Sequence, residues 1–343
     1  MLALGTERPG LRDAARAVRN WDRVVAIAEA GSVAESIGSA MSLRGVEDAI
    51  PEPQRTAFRD AHVGATARNA LLLSEAAEVQ GAFTAAGIES VILKGPGLLV
   101  VHYPDIGARH VSDVDILVRW SDSKRADAVV RALGGKPKGD LLLPMEEGED
   151  GHHHLVPLVT PRGVIIEIHT RLPGATTSDA DVGELIGRSR NVSWQARALR
   201  IPSEPDLAAM ICLHVFDYHG GLEEYVLRHL ADLAVLMGGG ATRWSEVEAR
   251  VESGVSRAAV DASRRLLEDG ATGFAAWRHV IGVRARSWAH LATRPEPGVL
   301  MTAVFPPRSF MASRYGVPPD SRLLPLLYLW RPVRGAWRFV TGR

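Results

Sequence analysis

The sequence has little of several features that would place it in a specialised class of protein. It contains one cysteine, Cys212, in 343 residues, which excludes an internal disulfide and favours a reducing compartment. Basic and acidic residues are equal at 40 each, so no net charge draws the chain to extended nucleic acid or to an anionic membrane. No apolar run approaches the roughly 20 residues that span a bilayer, and the N-terminus lacks the pattern of a secretory signal. We therefore expect a cytoplasmic globular protein.

The pattern of the sequence changes twice along the chain. Residues 1–87 are rich in alanine and carry apolar residues at helical spacing, which predicts a helical N-terminal region. Residues 88–201 contain short β-branched runs, and the turn-like segment 160–163 predicts an antiparallel hairpin, which argues against an all-parallel sheet. Residues 202–343 return to helical spacing. The predicted fold is α+β, with a small mixed β-sheet core flanked by helical N-terminal and C-terminal regions.

Two acidic residues, Asp113 and Asp115, stand one residue apart at the start of an apolar run that predicts a buried strand. Because side chains alternate along a strand, both carboxylates point the same way and repel each other. In a later apolar run, the same alternation puts Glu167 and His169 on one face. If the two strands are neighbours, three carboxylates converge. Mg²⁺ prefers carboxylate oxygen, so we expect a magnesium site with two ions at Asp113, Asp115 and Glu167.

A phosphate-binding segment is predicted upstream of the acidic pair. Lys94, Gly95, Pro96 and Gly97 lie between a short predicted strand and a predicted helix. Glycine lets a backbone approach a phosphate closely, and a helix N-terminus favours an anion. Arg109, four residues before the acidic pair, offers paired donors for a phosphate. The predicted nucleotide-binding residues are therefore Lys94, Gly95, Gly97 and Arg109.

The ordered segments LKGPG, ARHVSDVDILV and IEIH resemble the uncharacterised nucleotidyltransferase family of the DNA polymerase β-like superfamily. The helical segment LHVFDYHGGLEEYVLRHLADLAVL resembles the same family, and the match covers roughly residues 70–250. The resemblance implies a metal-binding pair at Asp113 and Asp115, a third acid at Glu167, and a phosphate loop at Gly95 and Gly97.

The reaction implied by the resemblance is attack of an acceptor hydroxyl on the α-phosphate of a nucleoside triphosphate, assisted by two magnesium ions. Glu167 would accept the hydroxyl proton, with His169 as a second candidate. The superfamily's usual Gly-Ser or Gly-Gly pair is Gly95-Pro96 here, which lacks the hydroxyl or amide that holds the triphosphate. Lys94 is therefore expected to compensate.

Three functions stay open from the sequence. The preferred one is nucleotidyl transfer to a small molecule or a peptide. The second is the same chemistry directed at a protein or tRNA, as in toxin-related members of the superfamily. The third is a catalytically silent nucleotide-binding protein, which the Gly95-Pro96 departure favours.

Each site residue also has a purely structural interpretation. Asp113 and Asp115 could be solvated residues at a strand end, and Glu167 could pair with an arginine. Lys94 could be an exposed loop residue, and Arg109 could pair with a structural carboxylate.

Other residues are expected to be structural. The run His152–His154 is predicted to be a solvated loop rather than a zinc site, and His214 to be a core residue. Arg228 and Asp232, four residues apart, are predicted to form an ion pair, and Cys212 to be inert.

The tail after Asp320 has arginines interleaved with aromatic residues and no acid. Because prolines interrupt it, we expect packing against the protein body, with membrane contact as the less favoured alternative.

Overall fold

The structure is a computed structural model, and it describes residues 11–138, 154–172, 178–215, 226–240, 242–251, 254–268 and 321–330. The predictions made for His152, His153 and residues 331–343 lie outside these ranges. Among the described residues, no helix combines the length and the apolar character needed to cross a membrane.

The N-terminal region is helical, as predicted. Its helices are α1 (Leu11–Arg16), α2 (Trp21–Ala30), α3 (Ala34–Arg44) and α4 (Glu52–Ala85). The 34-residue α4 begins after Pro51, which has no backbone amide to donate and so suits a position just before a helix. The helix ends two residues before Gly87. Gly87 has a φ of +68°, a left-handed conformation that glycine adopts without steric cost, so it turns the chain into the first strand.

The core contains one mixed sheet and one hairpin. The sheet strands are β1 (Ser90–Ile92), β2 (Val114–Val118), β3 (Lys136–Pro137), β4 (Leu158–Val159) and β5 (Ile165–His169), in the spatial order β1-β2-β5-β4-β3. Strands β2 and β5 are parallel, and the other neighbours are antiparallel. The separate hairpin comprises β6 (Arg190–Trp194) and β7 (Arg197–Ile201). The predicted α+β class and the predicted turn between β4 and β5 are both confirmed.

In the described ranges, three helices connect these strands, and four more follow them before residue 269. The connecting helices are α5 (Lys94–Val101), α6 (Ser123–Ala132) and α7 (Asp179–Arg188). The C-terminal helices are α8 (Glu204–Leu213), α9 (Val226–Gly238), α10 (Trp244–Glu248) and α11 (Gly254–Glu268). Ser203 caps α8 by accepting a hydrogen bond from the backbone amide of Asp206, which satisfies one of the free amides of the first turn.

One cluster of buried apolar side chains runs through all three predicted regions, from Leu72 in α4 to Ala262 in α11. A second, smaller cluster lies between α2, α3 and the start of α4, around Met41 and Phe58. The predicted boundaries after residues 87 and 201 thus fall within a continuous core, and the division into regions stays a prediction.

The described part of the C-terminal tail is helical at residues 324–330. Leu324 is buried, as expected for packing against the body, whereas Leu326, Leu329 and Trp330 are exposed.

Candidate active site

The parallel pairing of β2 and β5 brings the acidic residues together. Asp115 is directly opposite Glu167, and Leu117 is opposite His169. The His169 Nε2 lies 2.8 Å from Asp115 Oδ1 and 3.7 Å from Glu167 Oε2. One ligand atom from each of Asp115, Glu167 and His169 lies within 4.8 Å of the other two. The two strands are therefore neighbours, which meets the condition under which the acids were expected to converge.

Asp113 lies half-buried just before β2, close enough to Asp115 and Glu167 to be repelled by their charges. Burial, followed by repulsion from Asp115 and Glu167, raises the pKa of Asp113. Burial would also raise the pKa of Asp115, but the attraction of Lys94 and His169 outweighs it and holds that pKa well below its usual value. Asp115 is therefore firmly ionised, whereas the environment of Asp113 disfavours its ionised form.

Lys94 reaches the acidic cluster because β1 runs antiparallel to β2. The Leu93 amide donates to the Asp115 carbonyl at 2.9 Å, so Lys94 leaves the strand beside Asp115. Its Nζ lies 3.1 Å from Asp115 Oδ2. Lys94 has a φ of +47°, in the left-handed region that residues with a side chain seldom occupy. Lys94 is therefore an ion-pair partner of the acidic cluster rather than an exposed loop residue.

The two glycines of α5 are required by packing. A Cβ at Gly95 would lie 2.6 Å from Arg109 Nη1 and 3.1 Å from Val111 Cγ1. A Cβ at Gly97 would lie 3.0 Å from Ile201 Cγ2. The absence of side chains thus lets the start of α5 lie directly against Arg109 and β7. Their predicted role in binding phosphate through the backbone stays a prediction.

Arg109 forms a buried, bidentate ion pair with Asp232. Its Nε and Nη2 donate to the two carboxylate oxygens at 2.7 and 2.8 Å, and Tyr103 donates to the same carboxylate at 2.6 Å. Burial would raise the pKa of Asp232, but Arg109 outweighs burial and lowers it below its usual range. This is the structural pairing that the sequence left as the alternative to phosphate binding by Arg109. The predicted pair of Arg228 with Asp232 is wrong, because Arg109 holds that carboxylate.

Helices of the N-terminal region hold the loop that leads from α5 to Asp113. Ser36 Oγ donates to the Ala108 carbonyl at 2.7 Å. The Asn69 side-chain amide donates to the carbonyls of Ile106 and Arg109 at 2.6 and 2.8 Å. Sequence reasoning missed these residues, since nothing in the local pattern marks a serine or asparagine on a helix as a ligand of a loop many residues away.

His169 is 1% exposed and lies beneath Asp115. Burial would lower the pKa of His169, but the hydrogen bond and charge of Asp115 outweigh burial and raise it. The ring centroid of His154 lies 5.4 Å from that of His169. His154 therefore lies half-buried beside the site, which corrects the prediction of a solvated loop for this member of the histidine run. Burial raises the pKa of Cys212 to about 12, in keeping with an inert thiol.

Residues 17–269 match the model of a family described as uncharacterised nucleotidyltransferase. The match covers well over half of the chain, so the chain belongs to this family and is a transferase enzyme. A solved structure described as the antibiotic-resistance factor ANT(2'')-Ia is similar over 60% of this chain and 97% of that chain, with 14% identity and a TM-score of 0.38. No curated protein matches the chain.

Proposed function

We propose that the protein transfers a nucleoside monophosphate from a nucleoside triphosphate to a hydroxyl group on a small molecule or peptide, with magnesium. Family membership supports the reaction class. The observation that carries the proposal is the direct pairing of Asp115 with Glu167 on neighbouring buried strands, with Asp113 beside them. Carboxylates this close together repel one another, and a bound cation offsets that repulsion.

The donor set fits a divalent metal. Asp113, Asp115 and Glu167 offer carboxylate oxygens, which Mg²⁺ prefers, and they would hold one or both expected ions. When bound, the metal would lower the pKa of the acceptor hydroxyl and neutralise charge on the triphosphate. His169 would act on Asp115 rather than on substrate, because it is buried and its Nε2 already contacts that carboxylate at 2.8 Å.

The side chains and the backbone of the site have distinct roles in this proposal. The acceptor oxygen attacks the α-phosphorus, the bond to the bridging oxygen breaks, and pyrophosphate leaves. Glu167, which is less buried than Asp115, accepts the proton of the acceptor hydroxyl. Lys94 and the backbone at Gly95 and Gly97 bind the phosphates at the start of α5.

The test is mass spectrometry of candidate acceptors after incubation with Mg²⁺ and each nucleoside triphosphate. The acceptor panel includes small-molecule hydroxyls, peptides, a protein mixture and tRNA. We expect one acceptor class to gain the mass of a nucleoside monophosphate with loss of water. Asp113→Ala should abolish that gain, whereas Asp127→Ala, which removes a partly exposed partner of Arg131 in α6, should preserve it. A mass gain that persists in Asp113→Ala would contradict the proposed site.

A further inference from the structure

Three cations interact electrostatically with Asp113, and two of them are already paired with carboxylates. Lys94 Nζ contacts Asp115 at 3.1 Å, and the guanidinium of Arg109 is held by Asp232 at 2.7 Å. The third is Arg228, in the first turn of α9. Among the described residues, no carboxylate forms an ion pair with Arg228. Its Nε is buried and has no hydrogen-bond partner there.

Arg228 is placed on the side of α9 that faces the site. It precedes Asp232 by one helical turn, and residues four apart share a helix face. Asp232 on that face holds Arg109, whose Nη1 lies directly against Gly95. Burial and repulsion from Arg109 lower the pKa of Arg228, while Asp232 and Asp113 attract its charge.

The buried, unpartnered Nε of Arg228 indicates a binding site for an anion. A buried guanidinium nitrogen without a hydrogen-bond partner is costly, and the planar fork of an arginine matches a phosphate or carboxylate. The site needs a further phosphate donor beside Lys94, since Pro96 contributes no amide, Lys94 shares its charge with Asp115, and Arg109 is held by Asp232.

We propose that Arg228 binds the triphosphate of the nucleotide substrate. This inference rests on the proposed function, and it assigns to α9 a residue that completes the phosphate-binding side of the site. The lack of an ion pair for Arg228 within the described part of the chain fits this role, because its interaction energy is then available to the ligand.

A structural role and a ligand-binding role for Arg228 predict different effects of its replacement on stability. If Arg228 were structural, replacing it would lower the midpoint of thermal unfolding. If it awaits an anion, Arg228→Gln removes a repulsive, poorly solvated charge, and the ligand-free protein should be as stable as wild type or more stable.

The experiment measures two quantities on full-length wild type, Arg228→Gln and Arg188→Gln. The first is the calorimetric affinity for inorganic tripolyphosphate and for each nucleoside triphosphate, in Mg²⁺. The second is the unfolding midpoint without ligand. Arg188 is the control because it is an arginine that already has a carboxylate partner, Asp206. We expect Arg228→Gln to weaken tripolyphosphate binding at least about tenfold without loss of stability. Arg188→Gln should lose stability and keep wild-type affinity.

The outcomes distinguish the two proposals. Unchanged tripolyphosphate affinity in Arg228→Gln, beside wild-type binding that Asp115→Asn abolishes, would overturn the role of Arg228 and leave the proposed function in place. A marked drop in the unfolding midpoint of Arg228→Gln would also overturn it. If wild type binds neither tripolyphosphate nor any nucleoside triphosphate in Mg²⁺, the proposed function fails, and the role of Arg228 fails with it.

Discussion

The ammonium of Lys94 lies 3.1 Å from the carboxylate of Asp115, and the residue that carries it has a left-handed backbone with a φ of +47°. For a residue with a Cβ, this conformation costs about 1–2 kcal/mol. Such strain persists where the surroundings impose it, and it is common at functional sites. The antiparallel pairing of β1 with β2 imposes it here, because the chain must turn sharply into α5 immediately beside Asp115.

Replacing Lys94 by alanine and by glycine should separate the effect of losing the ammonium charge from the effect of relieving the backbone strain. Both variants lose the ammonium, but only glycine relieves the left-handed conformation. We expect Lys94→Gly to be more stable than Lys94→Ala by about 1 kcal/mol in urea unfolding. Ala196→Gly, at a φ of +63° in the exposed turn between β6 and β7, should gain a similar amount without changing activity. Equal stabilities of the two Lys94 variants would show that the backbone is not strained there.

The same lysine should affect the nucleotide more than the acceptor. We expect Lys94→Ala to raise the KM for the triphosphate about tenfold or more and to leave the acceptor KM within about twofold. The reason is that a charge-assisted phosphate contact is worth about 1.5–3 kcal/mol. Steady-state kinetics with each substrate varied in turn give both values. A change confined to kcat would instead make Lys94 a partner of Asp115 only.

Glu167 should matter for turnover rather than for binding. We expect Glu167→Gln to keep triphosphate affinity near wild type and to lose most transfer activity, since the carboxylate acts mainly in the transition state. Single-turnover kinetics and calorimetry measure the two quantities separately. Glu184→Gln, on the exposed side of α7, serves as the control and should change neither. Parallel losses of affinity and turnover in Glu167→Gln would make the residue a general binding group.

The pair of Arg109 and Asp232 should dominate stability at neutral pH. Because both side chains are buried, we expect Asp232→Asn to lower the free energy of unfolding by about 3–5 kcal/mol at pH 7. The folded-state pKa of Asp232 is depressed below its usual value, near 3.9 in an unfolded chain. Its stabilisation is therefore complete above that value and is lost as the pH falls toward the folded-state pKa.

Urea unfolding of wild type and Asp232→Asn between pH 3 and 7 tests this. The difference between them should stay constant from pH 5 to 7 and shrink below about pH 4. An Arg109→Ala variant that keeps wild-type stability but raises the triphosphate KM would restore the phosphate-binding interpretation of Arg109.

Local alternation was enough to predict which acidic residues share a strand face, although not that the two strands pair. A strand has a period of two, so Asp113 with Asp115, and Glu167 with His169, share faces wherever their strands lie. The apolar runs then bury both strands in one sheet, and the hairpin turn after β4 gives β5 its direction. These features depend on neighbours in the sequence, which is why they could be predicted.

The partners of the cations could not be predicted in this way. Arg109 is four residues from Asp113, and that proximity favoured a phosphate role, but its partner Asp232 is 123 residues away. Likewise, the glycine requirement at residue 95 comes from Arg109, and that at residue 97 from Ile201 on another strand. Long-range packing decides such contacts, and local pattern carries no signal for them.

The loop that leads to Asp113 is held by helices on both sides of it in sequence, and this affects when the site forms during synthesis. Ser36, 72 residues before Ala108, holds the loop from the N-terminal side, and Asp232, 129 residues after Tyr103, holds it from the C-terminal side. Contacts of such separation form late in folding. On the ribosome, where chains emerge from the N-terminus at about 5–20 residues per second, the loop lacks its second support until α9 has emerged. A nascent chain would therefore stay inactive toward cellular nucleotides until most of the protein had been made.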